Sequence, residues 1–314
     1  MIINYLLLVH KNPKQVEKLV NALDQEQVNF FIHVDGRKEI EPYQAVLKER
    51  KNIYFIPESF RVSVTWGNFS VVDAMINVMH FLKQNEVEGT VMVLSGQCYP
   101  IKNSKEIVRF LTNNPDINYI DRFEMPTEEG IWGKYRGMDR LEFYGFKIYG
   151  SDRVITKFPH VYHKDFYTLY NLKKVAKLVS VKPKLALKLF TKRKFPKYIE
   201  PYGGELWWAL PMSTILEILS FLDKHPDYIP YHKDTVSVSE IFFHSIVHSL
   251  FPEEKCKPSL MYTNWKRKNC TLPVTFAKDD LDELMQQDDK LFARKFDIEY
   301  DDEILQLLDD KVLV

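Results

Sequence analysis

The chain opens with Ile2-Ile3-Asn4-Tyr5-Leu6-Leu7-Leu8-Val9, and the theme returns in Phe30-Phe31-Ile32-His33-Val34-Asp35. Both runs are almost wholly apolar and of strand length. A strand covered on both faces of a parallel sheet reads this way. Between them, residues 12–23 place Val16, Leu19, Val20 and Leu23 on one helical face. Strand, helix, strand in that order predicts an α/β fold with a mainly parallel central sheet.

The pattern continues outward. Residues 52–56 read as a short third strand. Ser70 is expected to cap a helix running to about Gln84, whose apolar face carries Val71, Val72, Met75, Val78, Met79 and Leu82. Residues 90–95 form a central strand, Ser104 opens another helix, and residues 118–121 give a further strand. The second half is less regular. Residues 141–149 alternate like an exposed strand or hairpin, and residues 166–192 read as helical and basic. Residues 207–210 suit a short strand. Residues 213–224 and 239–249 suit helices, residues 259–265 look extended, and the tail from Asp279 reads as helical and acidic. With no repeat and no low-complexity linker, 314 residues suit one domain with a soft division into residues 1–125 and 126–314.

Composition narrows the function classes. Basic and acidic residues balance at 43 each, which argues against a nucleic-acid binder. Charge is unevenly spread, however: residues 173–197 hold ten basic side chains. That stretch is either a solvated face or a contact for an anionic lipid surface or glycan. Three cysteines, Cys98, Cys256 and Cys270, lack metal-site spacing and suggest no disulfide framework, which fits a reducing cytoplasm. The first apolar run is too short for a signal peptide or a membrane span.

Four segments set polar residues into apolar elements. Asp35 ends a strand at its carboxyl edge, the edge that faces the ligand crevice in open α/β sheets; Asp-Gly there is also an ordinary turn. Trp66-Gly67 leads into a helix N-terminus, where backbone amides favour anions, or where Trp66 is simply a hydrophobic anchor. Ser95-Gly96-Gln97-Cys98 ends the central strand, and Gly96 would let backbone approach a ligand closely. Glu240 lies near a helix start, whose dipole favours the ionised carboxylate that a general base needs; capping is the simpler reading. Lys295 lies among Phe292, Ala293 and Phe296, where a cation needs an anionic partner, a diphosphate or a nearby Asp.

In this order the segments resemble the core-2/I-branching enzyme family, glycosyltransferase family 14, which also contains the peptide xylosyltransferases. The matching stretches are His33-Val34-Asp35, Val64-Thr65-Trp66-Gly67 with Ser70, and Leu94-Ser95-Gly96-Gln97 with Tyr99-Pro100-Ile101. Further along come Gly204 with Trp207 and Leu210, Ser239-Glu240 with Phe242-Phe243-His244, Thr263-Asn264-Trp265, and Phe292-Ala293-Arg294-Lys295-Phe296-Asp297. The resemblance implies a GT-A-like fold, Rossmann-like in its parallel sheet. It also implies inverting transfer from a UDP-sugar to a glycan hydroxyl, with no divalent metal and no cofactor. Glu240 matches the catalytic base. Lys295 matches the residue that neutralises the leaving diphosphate, with Arg294, Lys266 and Arg267 expected beside it. The nucleoside side comprises His10, His33, Asp35, Trp66 and Gly67, and the donor sugar falls to Ser95, Gly96, Gln97 and Cys98. Glu124, Lys134, Arg136 and Trp207 are expected on the acceptor side.

Two positions depart from the family pattern. A second basic residue usually precedes the strand that ends in Trp, and Met261 stands there; Lys266, Arg267 or Lys268 would have to replace it. The Ser-Gly-Gln segment commonly continues with Asp, and here it continues with Cys98, which points to an altered donor sugar. Competing readings are a glycoside hydrolase, for which Glu240 lacks a clear second carboxylate, and a glycan- or nucleotide-binding module without turnover. A chain that starts at its first strand suits a cytoplasmic bacterial enzyme acting on a glycan or lipid-linked acceptor, in peripheral contact with the inner, anionic face of the membrane.

Overall fold

The computed structural model describes residues 2–48, 50–128, 132–148 and 156–312. Seven strands form the central sheet: β1 (Ile3–Val9), β2 (Val28–Val34), β3 (Ile53–Phe55), β4 (Thr90–Ser95), β5 (Asn118–Tyr119), β6 (Ala209–Pro211) and β7 (Cys256–Lys257). Their order across the sheet is 3-2-1-4-6-5-7. β1 pairs in parallel with both β2 and β4, β2 with β3, and β7 with β5, so β6 alone runs against its neighbours. The strand order reverses between β1 and β4, and in open α/β sheets ligands bind at the carboxyl ends of the strands at such a point.

The apolar runs that announce β1, β2 and β4 are buried almost without interruption, because helices cover both faces of the sheet. Helix Pro13–Leu23 presents Val16, Leu19, Val20 and Leu23 to the core, and helix Ser70–Gln84 presents Val72, Met75, Val78, Met79 and Leu82. Both helices lie where their spacing puts them. Ser70, however, is the first helical residue rather than the cap: Phe69 holds that place, and the Ser70 hydroxyl accepts the Thr65 amide at 2.8 Å.

A second, three-stranded sheet carries the site. Phe292–Arg294 pairs in parallel with Met261–Thr263 and antiparallel with Cys98–Pro100, setting Arg294 opposite both Cys98 and Thr263. The acidic tail is therefore not one helix. It holds helix Leu281–Met285, this strand and helix Glu303–Val312.

The second half differs from its sequence reading in two further places. Strand Tyr144–Phe146 pairs with Thr156–Phe158, but its face is covered, not exposed. Tyr144, Phe146, Ile148, Phe158, Leu178 and Leu189 make a small core of their own under the basic segment. Residue 149 lies outside the described residues. The basic segment is broken into helix Leu169–Val181, helix Pro183–Ala186 and the 3-10 turn Leu187–Phe190. Pro183 cannot continue the first helix and starts the second.

Gly89 adopts φ +98° beside the start of β1, and a Cβ there would stand 2.0 Å from the Ile2 carbonyl oxygen. Gly89→Ala is expected to cost roughly 2–3 kcal/mol of stability, read as a lower urea midpoint. An unchanged midpoint would mean that the β1–β4 edge yields to the extra carbon.

Candidate active site

The nucleoside side forms where β1 and β2 end. The Asp35 amide donates to the Val9 carbonyl at 2.9 Å, fixing the two strand ends together. The Arg37 guanidinium grips both Asp35 carboxylate oxygens, at 3.0 and 2.9 Å. Burial pushes this carboxyl up, but the bonds and charge of Arg37 outweigh it and hold Asp35 below the usual range. His10 follows β1 and lies within electrostatic reach of Asp35 and Lys11. Trp66 is 70% exposed, a free aromatic face at the rim. Gly67 adopts φ +75°, and its carbonyl accepts the Ser237 amide at 2.9 Å. The Trp-Gly loop is thus fastened to the turn that precedes Glu240.

Two expected residues turn inward instead. His33 is buried, and its Nε2 accepts the Val62 amide at 3.0 Å. Burial lowers its imidazole to about 4, so it is a neutral acceptor bracing the loop rather than a nucleoside contact. A Cβ on Gly96 would stand 3.0 Å from Val16 Cγ2, so its smallness serves packing against the first helix rather than ligand approach.

Around the end of β4, the Ser95 amide donates to Cys98 Sγ at 3.3 Å and the Gln97 amide to Ser95 Oγ at 3.2 Å. Cys98 is buried against Arg294, and burial keeps its thiol neutral, so it offers the guanidinium no opposite charge. Arg294 lies 4.3 Å over the ring of Trp207, and its Nε is buried without a partner. Trp207 is itself buried and supports Arg294 from below. Lys295 is fixed by its backbone: its amide donates to Val274 and its carbonyl accepts from Phe276. The next residues clip onto the first helix. Lys11 and Asn12 donate to Asp297 at 2.5 and 3.2 Å, and Gln15 to the Phe296 carbonyl at 3.0 Å. Burial first, then Arg294 and Lys11, lower the Lys295 ammonium, with Asp297 opposing. Like charges crowded into a half-buried place favour an anion.

The replacements expected for Met261 do not join this cluster equally. Met261 is buried opposite Phe292. Arg267 is committed to Asp280 and Glu283, each at 2.6 Å, while Lys266 is exposed. Among the described residues, no group of three or more His, Cys, Asp or Glu side chains is placed to hold a metal ion.

Glu240 ends the 3-10 turn Val238–Glu240, and helix Phe242–Leu250 starts two residues later. The expected helix-start dipole is therefore not what faces its carboxylate; the Arg140 guanidinium is, in an ion pair. Arg140 also lies 3.9 Å over the ring of Trp132. The remaining acceptor-side residues are surface groups of the same region. Glu124 lies on Phe123–Glu124, paired with Tyr202–Gly203. Lys134 bonds Asp165 at 3.3 Å, and Arg136 bonds Glu128 at 2.8 Å.

Glu205 escaped the sequence reading, as did Arg140 and Trp132. Its carboxylate accepts from Trp265 Nε1 at 2.5 Å and Thr263 Oγ1 at 2.7 Å, and it lies within reach of Arg294. The signal was available in Gly203-Gly204-Glu205: an acid directly after a glycine pair and before a tryptophan pair. A Cβ on Gly204 would stand 2.5 Å from Asp121 Cβ and 2.6 Å from the His244 ring, which explains the glycine. The Gly204 amide donates to the Glu240 carbonyl at 2.9 Å. Residues 204–207 thus connect the Glu240 turn to the Arg294 guanidinium across roughly 10 Å of chain at most.

A sheet of order 3-2-1-4-6-5-7 with its charged groups at the carboxyl ends of β1, β2 and β4 defines a GT-A-like α/β protein. Residues 3–145 match the family model described as Core-2/I-Branching enzyme. Over that stretch the chain is similar to the core-2/I-branching enzyme family. Human xylosyltransferase 2 is 26% identical over 98% of this chain and 33% of its own length; human xylosyltransferase 1 is 23% identical over 98% and 30%. The chain therefore spans about a third of the length of the curated relatives it matches. The solved structure of mouse xyloside xylosyltransferase 1, apo form, aligns at TM-score 0.39 and 10% identity over 93% of this chain and 97% of that one, too weak a likeness to carry an argument.

Burial, with Asp121 in support, raises the Glu205 carboxyl from 4.5 to about 7, against the bonds from Thr263 and Trp265 and the charge of Arg294. The folded chain then binds this proton more tightly than the unfolded one. Its contribution to stability is full below pH 4.5 and is lost as pH rises to 7. Relative to Glu205→Gln, the unaltered protein should lose about 3 kcal/mol across that window, measured by urea melts at each pH. Parallel pH profiles for the two proteins would contradict the assignment.

Proposed function

We propose that this chain is a glycosyltransferase that moves a sugar from a UDP-sugar to a hydroxyl of a glycan acceptor. In this reading the reaction inverts the anomeric centre, needs no divalent metal and serves bacterial surface polysaccharide synthesis. The observation that carries it is the connection made by residues 204–207, which joins the turn bearing a carboxylate, Glu240, to two crowded cations, Arg294 and Lys295. A transferase of this kind needs a base on the acceptor side and positive charge on the leaving-group side.

Glu240 would take the proton of the acceptor hydroxyl as that oxygen attacks the anomeric carbon. The bond from that carbon to the diphosphate oxygen breaks, and its electron pair leaves with UDP. Charge grows on the diphosphate, where the Lys295 ammonium and the Arg294 guanidinium, whose Nε is unpartnered, supply fixed compensation. Asp35 offers an ionised carboxylate to the ribose or base, and the exposed ring of Trp66 offers a stacking face. The name xylosyltransferase borne by the relatives supports testing UDP-xylose beside UDP-N-acetylglucosamine as donor.

UDP release should proceed in excess EDTA. Glu240→Gln and Lys295→Ala should each lower it by roughly 10²–10³, and UDP binding should survive the first substitution far better than the second. Full turnover in Glu240→Gln would remove the base, and loss of activity in EDTA would remove the metal-free mechanism.

A further inference from the structure

Helix Leu169–Val181 turns one face to the small core and a second apolar face to solvent. Val175 and Leu178 pack inward. Leu169, Leu172, Ala176 and Val179, spaced by three and four residues, line up on another side, and all four are exposed. Leu169 is 70% exposed, and farther along Leu187 and Phe190 reach 68% and 61%. Of the eighteen large apolar side chains exposed among the described residues, nine fall between Tyr162 and Phe190. The stripe is therefore a contiguous feature rather than the usual scatter.

The charge around it has one sign. From residue 166 to 199 the sequence contains no Asp or Glu, in a chain that is neutral overall. Arg193 is buried, bonding the Phe143 and Arg140 carbonyls, and Lys188 pairs with Asp234, so neither belongs to the outer face. Lys173, Lys177, Lys184 and Lys194 are exposed beside the apolar residues. Three exposed tyrosines, Tyr162, Tyr167 and Tyr170, complete the set. Leucine and phenylalanine flanked by lysine and tyrosine suit the boundary between acyl chains and anionic headgroups. No helix among the described residues is long and apolar enough to cross a membrane.

We infer that the outer face of residues 162–194 lies on an anionic bilayer surface, with the leucine stripe in the headgroup boundary and the lysines among the lipid charges. A protein partner would more often bring acidic complements and leave fewer uncompensated lysines than a lipid surface, which takes any number of them. The segment also packs on helix Met138–Glu142 through Arg193, and that helix carries Arg140, the partner of Glu240. A membrane-held segment would thus support the acceptor side of the site. The inference does not need the transferase reading to hold, because its test is binding alone.

The test uses the whole chain with vesicles of phosphatidylcholine alone and with about 30% phosphatidylglycerol. Partitioning should be at least roughly tenfold stronger onto the anionic vesicles and should weaken as salt rises. Lys173→Glu with Lys177→Glu should abolish it. Leu172→Ser with Val179→Ser should weaken it about tenfold. Both pairs are solvent-facing, so far-UV spectra and melting midpoints should stay unchanged. Equal binding to the two vesicle types, or binding indifferent to both pairs, overturns the proposal. Dimers in sedimentation velocity that Leu172→Ser with Val179→Ser disperses would make the stripe an interface between copies and overturn it as well.

Discussion

The guanidinium of Arg294 rests on the ring of Trp207, and three residues earlier the Gly204 amide holds the carbonyl of Glu240. This short connection sets the geometry of the site. It couples a strand of the small sheet to the turn before helix Phe242–Leu250, elements 54 residues apart between Glu240 and Arg294. Gly204 makes it workable, because any side chain there would strike Asp121 and His244. The other end is secured independently, by Lys11, Asn12 and Gln15 on residues 296 and 297. Two anchors on one strand leave Arg294 and Lys295 little freedom to relax away from each other.

That rigidity carries an electrostatic cost. Arg294 meets a thiol at Cys98 instead of a carboxylate, and Lys295 meets Lys11 and Arg294 with only Asp297 opposing. Glu205 is the nearest compensating acid for Arg294, and burial holds its carboxyl near neutrality. A protein selected for stability alone would neutralise such a cluster. Charge left uncompensated at the carboxyl end of a parallel sheet is the arrangement an anionic ligand completes.

The fold was readable because its strands are simple. β1, β2 and β4 are buried on both faces and read as continuous apolar runs, and two helices show a clear three-to-four spacing. Reading failed where burial comes from a partner distant in sequence. Tyr144–Phe146 looks exposed until Leu178 and Leu189 cover it, and the strand Phe292–Arg294 is hidden inside an acidic tail because only Met261–Thr263 and Cys98–Pro100 make it a strand. In the site, residue types were legible and orientation was not. His33 and Gly96 stand in the expected segments but face inward, and Arg267 is spent on Asp280 and Glu283. Arg140 carries no local pattern, since what distinguishes it is a contact made about a hundred residues away, and the glycines and tryptophans around Glu205 mark the acid without showing its partner Trp265, sixty residues on.

A crystal structure of the chain with UDP tests the central claim most directly. The account requires the diphosphate to lie against Lys295 and Arg294, with the nucleoside toward Asp35 and Trp66 and the Glu240 carboxylate facing the open side of the distal phosphate. UDP bound elsewhere, or bound in this crevice with its phosphates turned away from both cations, would contradict it.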